Sequence, residues 1–129
     1  NPEKFDCIVT GNMFGDILSD EASEIAGGLG LAASTMTGDS ACCAQAQHGS
    51  APDIAGQDKA NPTSLILSSA MLLDWLALKH QRPEFRAAAK AIESAVDAAL
   101  QKPETRTPDL QGKLGTRAFG AEIAQRIQN

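Results

Sequence analysis

Residues 11–31 read Gly11-Asn12-Met13-Phe14-Gly15-Asp16-Ile17-Leu18-Ser19-Asp20-Glu21-Ala22-Ser23-Glu24-Ile25-Ala26-Gly27-Gly28-Leu29-Gly30-Leu31. An apolar run precedes them: residues 5–9, Phe-Asp-Cys-Ile-Val, suit a short buried strand. Thr10, Gly11 and Asn12 then turn the chain into a helix pattern that reaches about Ala26. Gly27-Gly28 stops it, because glycine accepts the backbone angles that end a helix. On that helix Asp16 and Asp20 lie one turn apart on one face. Glu21 and Glu24 add negative charge, and no Lys or Arg falls between residues 5 and 36. Like charges so spaced cost a few tenths of a kcal/mol, roughly, in an isolated helix. A divalent cation would reverse that sign, since hard cations take carboxylate oxygens. On spacing alone, an ordinary solvated acidic face serves as well.

Working outward, the 129-residue chain has the length of one domain or of a piece of something larger. Its hydrophobic fraction of 43% and charged fraction of 21% are those of a soluble globular protein. A net charge of −5 offers no basic patch to phosphates, which argues against a nucleic-acid partner. No apolar stretch has the length of a membrane span; residues 65–78 are interrupted by Ser68, Ser69 and Asp74. The opening Asn-Pro-Glu-Lys is not a signal peptide, and a start almost directly on a strand suggests that an N-terminal part precedes it. Cys7, Cys42 and Cys43 form neither a disulfide framework nor a metal-ligand spacing, so reduced thiols in the cytoplasm are expected.

The second informative stretch is His48-Gly-Ser-Ala-Pro-Asp-Ile-Ala-Gly-Gln-Asp-Lys-Ala-Asn-Pro62. It holds too many Gly, Pro, Ser and Asp residues for regular structure, and long structureless loops within compact domains are usually functional. Small residues permit close backbone approach, and the polar ones could meet a ribose and an adenine. Composition alone would leave it an ordinary polar loop. No Gly-x-Gly-x-x-Gly occurs, so the usual dinucleotide fingerprint is absent.

Both stretches, position by position, resemble the signature segments of the isocitrate and isopropylmalate dehydrogenase family, the β-decarboxylating dehydrogenases that oxidise a 2-hydroxy acid with NAD or NADP. The resemblance implies that Asp16 and Asp20 bind Mg²⁺ or Mn²⁺, and through it the small-molecule substrate, and that Asn12 contacts the nicotinamide side. It implies an adenosine loop in which His48, Gly49, Ser50, Ala51, Asp53, Ile54 and Asn61 line the cofactor. Asp53-Ile54 is similar to the NAD-dependent members, so NAD is the expected cofactor. Many members carry a Glu-containing triplet before His-Gly where this chain has Gln45-Ala46-Gln47. That departure leaves the choice among isocitrate, isopropylmalate, tartrate and malate open, although some bacterial members share the Gln-Ala pattern.

The implied fold class is α/β, the three-layer α/β/α plan of the family. This chain corresponds to the C-terminal part of a subunit, mostly helical with few strands. Residues 1–28 would belong to a smaller domain that carries metal and forms a homodimer through the acidic helix. Residues 29–129 would belong to a larger, cofactor-binding domain. The family's substrate arginines, catalytic Tyr and Lys and third metal aspartate have no counterpart here, and the chain contains no Tyr. No catalytic residue is therefore assigned. The competing reading is a truncated, non-catalytic relative acting as an assembly or regulatory partner.

The rest reads as scaffold. After a Ser-, Thr- and Gly-rich loop at residues 34–40 comes a weak strand at 41–46. Pro62 begins a helix reaching about His80, apolar on nearly all sides and expected to be deeply buried. Pro83 begins the next, with Phe85, Ala88, Ala89, Ile92, Val96, Ala99 and Leu100 at helical spacing, and Lys102-Pro103 ends it. Residues 107–110, Thr-Pro-Asp-Leu, connect to a last helix. Thr116 is expected to cap it, with Phe119, Ile123 and Ile127 on one face.

Overall fold

The computed structural model describes residues 2–128; Asn1 and Asn129, the outer ends of the two expected units, lie outside that range. Four helices and one hairpin follow in order: α1 Asn12–Ala26, β1 Ala33–Thr37, β2 Cys42–Ala46, α2 Thr63–His80, α3 Pro83–Leu100 and α4 Thr116–Gln128. Short 3₁₀ turns at Pro52–Ile54, Pro103–Thr105 and Pro108–Leu110 each begin with proline, whose fixed φ suits a tight start. The sheet is the antiparallel pair β1–β2, with Ala33 opposite Ala46 and Thr37 opposite Cys42.

The helix spans agree with the sequence. Gly27 at φ 136° and Gly28 at φ 112° end α1, angles that a side chain would strain. Pro83 opens α3 at its first position, where the missing N–H is no loss. The core lies between α3 and α4, where Val96, Ala99, Phe119 and Ile123 are buried, with Ile66 and Leu67 of α2 packed against them.

Four expectations are corrected. Residues 5–9 form no strand, and Phe5, Ile8 and Val9 are exposed, Val9 to 93%. A strand needs a neighbour for its backbone groups, and none lies beside this segment among the described residues. Residues 34–40, expected as a loop, contribute most of β1. Its Thr35 and Thr37 are β-branched and fit a pleated sheet, and the Ser34 amide donates to the Ser68 hydroxyl at 2.9 Å.

α2 is not deeply buried on all sides. It hides small residues, Thr63, Ser64, Ser68, Ala70 and Ala77, while Leu65 and Leu78 stand more than half exposed. The serines explain this. Ser68 Oγ donates toward the Gln45 and Ser64 carbonyls, and Ser64 Oγ donates to the Ala32 carbonyl while accepting the Gln47 amide at 3.0 Å. These buried hydroxyls are satisfied by the hairpin, so hydrogen bonding rather than apolar bulk decides which face turns inward.

Lastly, Thr116 does not cap α4 with its hydroxyl, which donates to the Ala60 carbonyl instead. Asp58 does the capping. Its carboxylate accepts the Arg117 amide at 3.0 Å, and its carbonyl accepts the Thr116 amide at 3.1 Å. Phe119 and Ile123 are buried as expected, whereas Ile127 is 42% exposed.

Candidate functional site

The loop between β2 and α2 is wound on itself rather than slack. The Ile54 amide donates to the Ala51 carbonyl at 3.1 Å, Gln57 to Ile54 at 3.1 Å, and the Gln57 side chain to the Asp53 carbonyl at 2.8 Å. Ala51 sits in the left-handed region at φ 44°, a conformation that opposes an L side chain by about 1–2 kcal/mol. Its entry is pinned by Ser64 and its exit by Asp58. A loop so held is preorganised to present its backbone.

What it presents to is a cavity of about 650 Å³, within the usual range for a small-molecule site. Of the residues expected along the adenosine loop, His48, Gly49, Ser50, Ala51, Ile54 and Asn61 line this cavity. Asp53 and Asn12 do not. Asp53 is exposed beside the lining residue Ile54, and Asn12 lies at the exposed start of α1.

The floor is built from residues distant in sequence. Asn61, 8% exposed, accepts the Thr63 amide at 3.0 Å through Oδ1 and donates through Nδ2 to Asp109 Oδ2 at 2.9 Å. Both ends of its amide are therefore assigned, and its orientation is fixed. Gly30 closes over this pair. A Cβ there would stand 3.2 Å from Asp109 Oδ2 and 3.3 Å from Asn61 Nδ2, so a side chain would press into the floor. Each group keeps further capacity: Nδ2 has a second hydrogen, and Asp109 a second oxygen. Together they offer a donor and an acceptor side by side, which suits a purine edge.

The wall beyond is the first turn of α4, with Thr116 and Arg117 on the lining, and Lys59 contributes a second cation. Sequence reasoning missed Gly30, Asp58, Asp109 and Arg117. The repeated Gly and the Thr-Pro-Asp-Leu connector were visible, but nothing local tied them to residues 48–61. The His48 ring lies with Nδ1 3.0 Å from the Gly49 carbonyl; that nitrogen donates, which leaves Nε2 toward the surroundings.

The second group is the face of α1. Asp16 and Asp20 are both exposed, and among the described residues no ion pair reaches either. Asp20 Oδ1 accepts a hydrogen bond from Gln47 Nε2 at 3.4 Å. Two unneutralised carboxylates one turn apart are the donor chemistry that Mg²⁺ or Mn²⁺ takes, so the pair fits part of a coordination sphere. It is not a complete one: among the described residues no three His, Cys, Asp or Glu side chains gather closely enough to hold an ion.

Glu84, by contrast, is held below the usual carboxylate range by a backbone hydrogen bond and then by Arg82. It stands in the first turn of α3, outside both groups.

Known proteins share the sequence and the fold of this chain. The model of the isocitrate/isopropylmalate dehydrogenase family matches residues 1–125. An isocitrate/homoisocitrate dehydrogenase of Thermus thermophilus is 49% identical over 128 residues, which are 99% of this chain and 36% of that protein. A homoisocitrate dehydrogenase of Methanocaldococcus jannaschii is 50% identical over 128 residues, 99% of this chain and 35% of that one. The crystal structure of isocitrate dehydrogenase from Methylococcus capsulatus superposes with a TM-score of 0.87 at 41% identity, covering 99% of this chain and 36% of that one. The chain thus spans about a third of the length of the curated relatives it matches.

Proposed function

The chain belongs to the isocitrate/isopropylmalate dehydrogenase family, and from that footing we propose that its parent protein is an NAD-dependent, metal-dependent oxidative decarboxylase of a 2-hydroxy acid. Isocitrate, homoisocitrate and isopropylmalate are the candidates that the family and its relatives suggest. In this reading residues 29–129 form part of the cofactor-binding domain, and residues 1–28 part of a smaller domain that carries the metal ligands. The observation that carries it is the cavity, in which Gly30, Asn61 and Asp109 make a fixed polar floor beneath the loop of residues 48–56.

The residues divide the work. Asn61 and Asp109 would receive the adenine edge, while Ile54 would pack on its apolar surface. His48 and the backbone of Gly49 and Ser50 would border the sugar, and Asp53, beside Ile54, would accept from the ribose hydroxyls. Asn12 would approach the nicotinamide side. Asp16 and Asp20 would hold the divalent cation and orient the substrate against it. When bound, the cation supplies Lewis-acid polarisation at the substrate's hydroxyl carbon and the dinucleotide a hydride acceptor. Proton transfer is assigned to no residue of this chain.

α1 exposes Met13, Phe14, Ile17 and Leu18 together. We place the homodimer contact there, since an apolar face of this kind requires a partner. No helix among the described residues is long and apolar enough to cross a membrane. Free Cys7, Cys42 and Cys43 fit a reducing cytoplasm.

The test is a spectrophotometric assay of the intact protein with Mg²⁺, NAD and each of the three acids in turn. NADH production with one of them, abolished by a chelator, is expected. No turnover with any, despite retained NAD binding, would favour a non-catalytic relative.

A further inference from the structure

We propose that Gln47 is a positioning residue that orients the Asp20 carboxylate and ties it to the nucleotide loop. This rests on the reading of Asp16 and Asp20 as metal ligands.

Gln47 Nε2 lies 3.4 Å from Asp20 Oδ1 and 3.3 Å from Ser19 Oγ. The amide nitrogen carries two hydrogens, so it can donate to both at once. Ser19 Oγ in turn donates to the Asp16 carbonyl at 3.1 Å. One amide thereby spans the helical turn that separates the two aspartates. Its base is firm: the Gln47 amide nitrogen donates to the hydroxyl of Ser64, which is completely buried. The next residue, His48, already lines the cavity.

The chemistry of the side chain suits the task. A neutral donor on one carboxylate oxygen restricts its rotation, leaves the other oxygen open and keeps the negative charge that a cation requires. Lys or Arg at this place would neutralise that charge and compete with the metal. Partners of this kind, which hold a ligand without touching the metal, fix ligand direction and raise affinity.

Gln47 also joins α1 to the loop, so the two sites share a physical element. Whatever a nucleotide gains by settling His48 and the loop then passes to Asp20. By linkage the cation must tighten nucleotide binding by the same factor.

The experiment is calorimetric titration of the intact protein with Mn²⁺, with and without NAD, comparing wild type, Gln47→Met and Asp20→Asn. Methionine keeps the length and volume of Gln47 and removes its donor. Mn²⁺ affinity of Gln47→Met is expected to fall about tenfold, the low end for such partners because the pair is exposed. Its affinity for NAD without metal should hold, while the mutual enhancement of Mn²⁺ and NAD shrinks. Weakening in Asp20→Asn with unchanged Mn²⁺ affinity and enhancement in Gln47→Met would overturn the role of Gln47 alone. Unchanged Mn²⁺ affinity in both would overturn the metal reading as well. Should Gln47→Met disturb folding, Ser19→Ala removes the second arm of the bridge from an exposed position. A loss of roughly two- to threefold is then expected, as for one weak hydrogen bond, and no loss would overturn the proposal.

Discussion

The Asp58 carboxylate accepts the Arg117 backbone amide at 3.0 Å, so a residue of the loop between β2 and α2 caps the last helix. Gly115 makes the approach possible: a Cβ there would come within 2.6 Å of the Asp58 carbonyl oxygen. Cap, loop and cavity wall are one assembly. Asp58→Ala is expected to lower stability by about 1 kcal/mol, the usual loss for a cap. It should also weaken NAD binding, because Thr116 and Arg117 lose their anchor. Thermal unfolding and NAD titration of the intact protein check both. A stability loss with full NAD affinity would show that the wall stands without the cap.

Gly30→Ala tests the floor. Its Cβ would press on Asn61 and Asp109 at 3.2–3.3 Å, so these side chains must shift slightly and the 2.9 Å hydrogen bond that joins them is strained. A displaced floor meets the ligand less well, so a drop in NAD affinity of a few-fold, about 1 kcal/mol, is expected. Mn²⁺ affinity should not change, since Asp16 and Asp20 are elsewhere. Calorimetry with each ligand separates the two.

Asp16→Asn and Asp20→Asn should each weaken Mn²⁺ binding and turnover while sparing the NAD affinity measured without metal. Each removes a hard anionic oxygen from a site to which this chain brings only two carboxylates. If the affinity for Mn²⁺ survives both substitutions, the acidic side of α1 is a solvated surface.

Cofactor choice turns on a contest of charges. On the proposed reading, in which Asp53 meets the ribose, it would disfavour a 2′-phosphate, which at about 4 Å and an effective dielectric of about 20 would be repelled by on the order of 4 kcal/mol. Solvent reduces that figure greatly for an exposed carboxylate. The cavity lining also holds Lys59 and Arg117, which oppose it. We expect NAD to be favoured over NADP by about tenfold in kcat/KM, equal to about 1.4 kcal/mol. Asp53→Lys with Ile54→Tyr should narrow or reverse the preference, and Arg117→Ala should widen it. Equal kcat/KM for both cofactors in the wild type would remove Asp53 from the ribose.

The sequence by itself determined whatever is encoded within a few residues. The three long helices were legible because Gly27, Pro62 and Pro83 punctuate them and their apolar residues repeat at helical spacing. The acidic pair was legible because four residues make one turn, and the irregular loop of residues 48–62 because its Gly, Pro, Ser and Asp residues are contiguous. Tertiary structure decided what depends on partners far along the chain. Residues 5–9 have strand composition but lack a neighbour among the described residues, and residues 34–40, expected as a loop, give most of β1 because they gain a partner in β2 and a hydroxyl from Ser68. α2 turns its serines inward because the hairpin offers them hydrogen-bond partners, a choice no periodicity of α2 contains. The floor and wall of the cavity bring Gly30, Asn61, Asp109 and Arg117 together from four separate segments. Most backbone and buried polar groups find partners, several of them far along the chain, and only the assembled chain fixes where those are.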